Sequence, residues 1–180
     1  MRYTNLILPH YTYDDYVHWE GRWELIAGHP IARMPSDTPH HQMISGLVST
    51  VLSEAIKETG CKKCKVYCPV DYKVANDTVI QSDVLIICGE PAEAFLDFPP
   101  VLVVEILSPS TALRDRYTKF EIYESSGVRY YIIVDIDKEI FEVYELKEEK
   151  YVLLENDFDE PIDFALDEEC TISVILNEVW

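Results

Sequence analysis

The stretch "VLVVEILSPSTALRDRYTKFEIYESSGVRYYIIVD", residues 101–135, decides how this chain is read. It opens on an apolar run, Val101-Leu102-Val103-Val104-Glu105-Ile106-Leu107, with the composition of a buried strand. One residue does not fit. Glu105 is a carboxylate, and burying a charge is costly unless a partner or a metal compensates it. Ser108, Pro109 and Ser110 supply turn chemistry, and a helix is expected from about Thr111 to Ser126 with Gly127 as its stop. "VRYYIIVDI" then reads as a strand, joined through Asp137-Lys138 to "EIFEVYEL" as a β-hairpin. Within the helix Asp115, Lys119 and Tyr123 are spaced i, i+4, i+8 on roughly one stripe. A solvated Asp–Lys pair worth a few tenths of a kcal/mol has that spacing. So does a lysine aimed at Glu105, and spacing alone does not choose.

Upstream, "KVYCPVDYKV" and "TVIQSDVLIIC" are strand-like runs. Alternation puts Asp83, Leu85 and Ile87 on one face, and Val101, Val103, Glu105 and Leu107 on one face of the later strand. Each acid either ends its strand in water or the two converge. Converging carboxylates repel unless protonated or bridged by a cation, and their hard oxygens suit Mg²⁺ or Mn²⁺. Before these strands a helix is expected, capped near Ser36 or Thr38 and ended by Gly60. Met43, Ile44, Leu47, Val48, Val51, Leu52, Ala55 and Ile56 form its apolar stripe. His40 and His41 begin it, as caps or packing groups on the simplest reading. "GRWELIAGHPIARM", residues 21–34, looks like a hairpin turning near Gly28. The tail holds a strand, "YVLLEN", a Pro-containing acidic loop and a last apolar segment, "CTISVILNEVW". The whole reads as one α/β (α+β) domain over residues 1–180: a mixed central sheet flanked by helices, with an N-terminal β-hairpin.

Composition bounds the function. The 180 residues are 48% hydrophobic with 6 Gly, and carry no repeat and no Gly/Ser linker, so the chain is globular. No apolar stretch approaches a bilayer span, and Met1-Arg2-Tyr3-Thr4 leads into polar residues too soon for a signal peptide, so a cytoplasmic location is expected. Five cysteines, an odd number, agree with a reducing compartment and free thiols. Cys61, Cys64 and Cys68 also have a spacing compatible with part of a metal site, with Cys88 as a possible spatial neighbour. The net charge of -18 argues against a simple nucleic-acid binder, but it is uneven. Residues 135–180 hold 16 acids and 3 bases; residues 1–134 hold 17 acids and 12 bases. A cleft built from the earlier residues therefore need not repel phosphate strongly, provided the acids of residues 147–169 lie away from it.

Several segments together resemble a known family: "GRWELIAGHPIARMPSDTPHHQMISGLV", "VIQSDVLII", "PPVLVVEILSPSTALRDRYTKFEIYESSGVRYYIIVD" and "FEVYEL". From Gly21 to about Leu146 the chain is similar to the putative restriction endonuclease family, often called the Uma family, of the PD-(D/E)XK nuclease-like superfamily. The resemblance implies a mixed four- or five-stranded sheet with helices on both faces. It makes Asp83 the motif aspartate and Glu105 the second acid. The superfamily pattern expects a lysine two residues after that acid, where this chain has Leu107. The family moves the basic role to the following helix, which matches Lys119. Glu24 and one of the two histidines, here His41, stand at family positions near the site. Ser82 replaces the proline that usually precedes the motif aspartate.

The implied activity is phosphodiester hydrolysis of nucleic acid, DNA in the first instance, with Asp83 and Glu105 holding Mg²⁺ or Mn²⁺. Lys119 supplies the catalytic cation, and the Ser108-Pro109-Ser110 turn folds its helix back over the Glu105 strand. Asp115 holds the ammonium and Gln81 lends a supporting hydrogen bond. Losing Lys119 is expected to cost cleavage and leave the fold intact. Two other classes compete: a non-catalytic binding or regulatory protein on the same fold, and a metal-dependent hydrolase of small nucleotides. A homodimer is plausible from open sheet edges.

Overall fold

The computed structural model describes residues 8–33 and 38–180. After a one-turn helix α1 (Tyr13–Tyr16), strands β1 (Trp23–Ile26) and β2 (His29–Ala32) form the expected hairpin. Its turn needs left-handed backbone at both central residues, Ala27 with φ 48° and Gly28 with φ 75°. A Cβ on Gly28 would lie 2.2 Å from the His10 ring, so glycine is required there twice over. Helix α2 (Pro39–Thr59) follows, its His41 amide capped by the Thr38 hydroxyl and its end closed by left-handed Gly60. Ser36, the other cap candidate, lies outside the described residues.

Strands β3 (Cys64–Tyr67), β4 (Asp71–Ala75), β5 (Thr78–Gln81), β6 (Val84–Cys88) and β7 (Leu102–Ile106) come next. A π-helical segment (Arg114–Lys119) runs into α3 (Phe120–Ser125), followed by β8 (Tyr130–Asp135), β9 (Ile140–Lys147) and β10 (Lys150–Leu153). Strands β11 (Ile162–Ala165) and β12 (Thr171–Val174) and a 3₁₀ turn (Leu176–Val179) end the chain. Six strands form the main sheet in the order β10-β9-β8-β7-β6-β3, with β7 and β8 parallel and the rest antiparallel. A second sheet, β2-β1-β5-β4, and a β11-β12 ribbon complete the fold.

Helices cover both faces of the main sheet. On one, Ile44, Val48 and Leu52 of α2 share a core with Val84, Val104, Ile132 and Phe164. On the other, Tyr123 of α3 packs with Leu85, Val103, Tyr131 and Ile133. Every residue of β7 and β8 is consequently buried, which is why these strands read as continuous apolar runs and not as alternation.

Several expectations change. The run Thr78–Cys88 is two strands in two sheets, with Ser82-Asp83 as the corner, so alternation from Asp83 into β6 does not apply. Lys65–Val74 is likewise split between β3 and β4 around Pro69. The main sheet has six strands and not four or five. Met43 and Leu47 are 53% and 39% exposed, because the α2 face that the sheet covers is narrower than the apolar stripe. The acidic loop contains β11, whose Ile162 and Phe164 are buried on either side of exposed Asp163. The free-thiol expectation fails as well: Cys61–Cys170 and Cys64–Cys88 are disulfides, leaving Cys68 free and exposed. A count of cysteines does not reveal that Cys64 and Cys88 are register partners of β3 and β6. Among the described residues no helix is long and apolar enough to cross a membrane.

Candidate functional site

Loop residues 107–110 turn the chain at the end of β7, with the Thr111 and Ala112 amides bonded to the Ser108 carbonyl. The helix that follows passes into π geometry at Arg114, whose i→i+5 bonds widen the turn; such segments recur at functional sites. Tyr131 pins it by donating its hydroxyl to the Asp115 carbonyl at 2.9 Å. Asp115, Lys119 and Tyr123 all turn inward and are buried. The Lys119 ammonium donates to Glu105 Oε1 at 2.9 Å and to the Gln81 carbonyl at 2.7 Å. It also lies 3.0 Å from Glu24 Oε1 and 3.7 Å from Asp115 Oδ1. Tyr123 donates its hydroxyl to the same Glu105 oxygen at 2.8 Å. Glu105 tolerates its apolar strand because an ammonium and a phenol face it.

Asp83 sits beside this cluster at the corner between the sheets. It directly precedes Val84, whose register partner Val104 is the neighbour of Glu105 in β7. Its Oδ2 accepts from the Ile106 amide at 2.9 Å, and Arg33 Nη2 is 3.6 Å from Oδ1. His41 Nε2 is 3.0 Å from the Ile106 carbonyl and 3.4 Å from Asp83 Oδ2. Both neighbours are acceptors, so that nitrogen carries a proton. Asp83, Gln81, His41 and Arg22 line an open cleft of about 390 Å³, while Glu105 and Lys119 lie behind it, 2% and 1% exposed.

Gln81 ties the parts together. Its amide donates to Glu24 Oε1, its side-chain nitrogen to Asp71, and its side-chain oxygen accepts from Arg33 and Arg22. The sequence therefore named the main groups, Asp83, Glu105, Lys119, Glu24, Asp115, Gln81 and His41, and the structure brings them together. It missed Arg114, 3.3 Å from Glu24 Oε2, and Arg33. Adjacency of Arg114 to Asp115 was the only available signal for either. The tail acids Glu148, Glu149, Asp157, Asp159 and Glu160 are exposed and are not among the residues lining the cleft, and Asp159 accepts from Asn177.

Three acids compete for one ammonium, and the outcome is uneven. Burial raises the Glu24 carboxyl, but Lys119, Arg114 and the Gln81 amide outweigh it and hold its pKa below the ordinary value. Asp83 is likewise lowered against burial, by His41, Lys119 and the Ile106 amide. Burial wins at Glu105, which is raised well above its ordinary value with Asp115 and Asp83 adding to the rise, and it wins at Asp115. Burial depresses the Lys119 ammonium, yet Glu105, Glu24 and Asp115 hold it above the usual lysine value. A carboxyl raised on folding contributes stability below its ordinary value of 4.5, and loses that contribution as pH climbs through the folded value. Glu105→Gln, which keeps an acceptor for Lys119 and Tyr123, is expected to melt higher than wild type in EDTA at neutral pH. The gap should close below about pH 4. A lower melting temperature for Glu105→Gln at neutral pH would contradict this balance of charges.

Residues 13–174 match the family model Uma2, whose description is "Putative restriction endonuclease". The chain belongs to this family. Among solved structures, the Uma2 chain is similar to a crystal structure described as "a putative nuclease belonging to DUF820" from Anabaena variabilis ATCC 29413. The TM-score is 0.71 at 16% identity, covering 93% of this chain and 98% of that one. At that identity the likeness shows the fold, which is restriction-endonuclease-like. No curated protein matches the chain.

Proposed function

We propose that this Uma2 chain is an endonuclease that hydrolyses phosphodiester bonds of nucleic acid, DNA in the first instance, using Mg²⁺ or Mn²⁺ held by Asp83 and Glu105. One observation carries the reading: a fully buried ammonium, Lys119, hydrogen-bonded to Glu105 within reach of two further acids. The residues fit a hard dication. Carboxylate oxygens of Glu105, Glu24 and Asp115 surround the ammonium. Among the described residues the buried Glu24 Oε2 and Asp115 Oδ1 accept no hydrogen bond, only the ion pairs with Arg114 at 3.3 Å and Lys119 at 3.7 Å. Burial raises Glu105 and Asp115 above their ordinary values, with neighbouring acids adding to the rise, and a bound dication would offset both effects. When bound, such an ion polarises the phosphate and lowers the pKa of its water.

The chain's own groups do the rest. The Ile106 amide and His41 fix Asp83 at the cleft wall, and Tyr123 fixes Glu105. The Gln81 carbonyl and Glu24 aim the Lys119 ammonium, a compact point charge suited to neutralise charge developing on the phosphorane. Leu107 and Ser82 cost this scheme nothing, since neither position supplies a group that Lys119 and Asp83 do not already provide.

A second reading, a non-catalytic binding protein on the same fold, draws on Glu24 and Asp83 being already neutralised by protein cations. Cleavage of plasmid and of oligonucleotides with Mg²⁺, Mn²⁺ or EDTA separates the two. Ion-dependent cleavage, abolished by EDTA and by Asp83→Asn, is expected. Purified folded protein that cuts neither substrate with either ion would favour the binding protein, and turnover of mononucleotides alone would favour a small-nucleotide hydrolase.

A further inference from the structure

Beside the candidate site lies a group of aromatic side chains that neither core uses. Tyr11, Tyr13, Tyr16, Trp19 and Trp23 fall within one short stretch and are all partly exposed. The Trp19 ring meets three others edge to face, 5.4 Å from Tyr11, 5.6 Å from Tyr16 and 5.8 Å from Trp23, and Tyr13 stacks on Tyr16 at 6.2 Å. Hydrogen bonds fix the frame, from the Trp23 indole to the Glu20 carbonyl at 2.8 Å and from the Tyr16 hydroxyl to the Trp23 carbonyl at 3.2 Å. Two hollows flank the pair of indoles. One, of about 300 Å³, is walled by Tyr16, Trp19, Trp23, Phe95 and Asp71; the other, of about 370 Å³, by Tyr11, Trp19, Trp23 and Pro30. Both indoles line both hollows.

The first hollow and the cleft are joined by a hydrogen bond between a lining residue of each. Asp71, in the hollow, accepts from Gln81 Nε2 at 2.9 Å and from Tyr16 at 3.0 Å, while Gln81 itself lines the cleft and holds Lys119 through its carbonyl. Arg22 lines the cleft one residue from Trp23. A phosphate at Asp83 thus has, beyond Arg22 and Gln81, a hollow lined by aromatic rings and one carboxylate, Asp71.

We infer that this aromatic hollow is a subsite for an unstacked nucleobase of the strand being cut, so that the substrate is single-stranded DNA or DNA with a frayed or flipped base. The inference rests on the nuclease reading above and names its substrate class. Every base has a π-face to lay on an indole, and the carboxylate accepts from base N–H groups. A cationic ligand is less suited, because the Lys73 ammonium already lies 4.0 Å over the Tyr13 ring.

The test is binding in EDTA, where cleavage plays no part, of an oligonucleotide carrying 2-aminopurine. Its emission should be quenched on binding, and Trp19→Ala should weaken single-strand binding about 10–100-fold. Trp19→Phe should recover most of that loss, and affinity for a blunt, fully paired duplex should change little in either variant. Where Trp19→Ala does not fold, Trp180→Phe leaves Trp19 and Trp23 as reporters, and oligonucleotide must quench their emission. Unchanged 2-aminopurine emission, or wild-type single-strand affinity in folded Trp19→Ala, overturns the subsite. A protein that cuts duplex DNA without those signals loses the subsite and keeps the nuclease. One that stacks bases and cuts nothing keeps the subsite and loses the nuclease.

Discussion

Replacing Lys119 with alanine is expected to lower cleavage by about 10²–10³-fold, the cost of removing one preorganised electrostatic group. It should also destabilise the protein by about 3–5 kcal/mol, because one partner of a buried ion-pair cluster is lost. The stability cost corrects the expectation from sequence that the fold would be untouched. The ammonium is 1% exposed, and without it Glu24, Glu105 and Asp115 face one another with less compensation, Arg114 at 3.3 Å from Glu24 being their nearest other ion pair among the described residues. The measurement is paired: thermal melting and cleavage of the same preparation. Lys119→Arg should restore neither fully, since a planar fork does not fit a space shaped for a compact ammonium bonded to Glu105 and the Gln81 carbonyl. Full activity in folded Lys119→Ala would remove the catalytic assignment. An unchanged melting temperature would contradict the buried network.

Reduction should have the second large effect. Cys61–Cys170 closes a span of 109 residues, tying the end of α2 to the start of β12. By loop-closure entropy such a link contributes about 4–5 kcal/mol. For a domain of this size that corresponds to a melting temperature lower by on the order of 10–20 °C in excess reductant. Cys170→Ser should reproduce most of the drop without reductant, and Cys68→Ser, at the free and exposed cysteine, should not. A reductant-insensitive melt would mean that the two pairs do not bond in solution.

The legible part of this protein is the part with local signals. The β1-β2 hairpin follows from the left-handed turn at Ala27-Gly28, α2 from the Thr38 cap and Gly60 stop, and β7 and β8 from their branched aliphatics. Asp115, Lys119 and Tyr123 were legible as one stripe because helical spacing is a property of the chain alone. Resemblance of the segments 79–87 and 99–135 to one family added Asp83, Glu105 and Lys119 as a set, and the match over residues 13–174 agrees with the family.

What the chain alone determined is which residues carry charge, which segments are apolar, and where turns and caps fall. Tertiary structure decided where the chain changes sheets, which cysteines meet, and which acid keeps its charge. The polar step Gln81-Ser82-Asp83 interrupts the run, but one half-exposed strand and two strands meeting at a corner both accommodate it, so the sequence alone did not decide between them. Cys61 and Cys170 are distant along the chain, and their meeting depends on α2 and β12 packing on one face of the sheet. The division of Lys119 among Glu24, Glu105 and Asp115 is set by burial and by distances of 3–4 Å between residues from β1, β7 and the π-helical segment. Coulomb energy and desolvation depend on those distances and on that burial, and neither exists until the strands and the helix have packed.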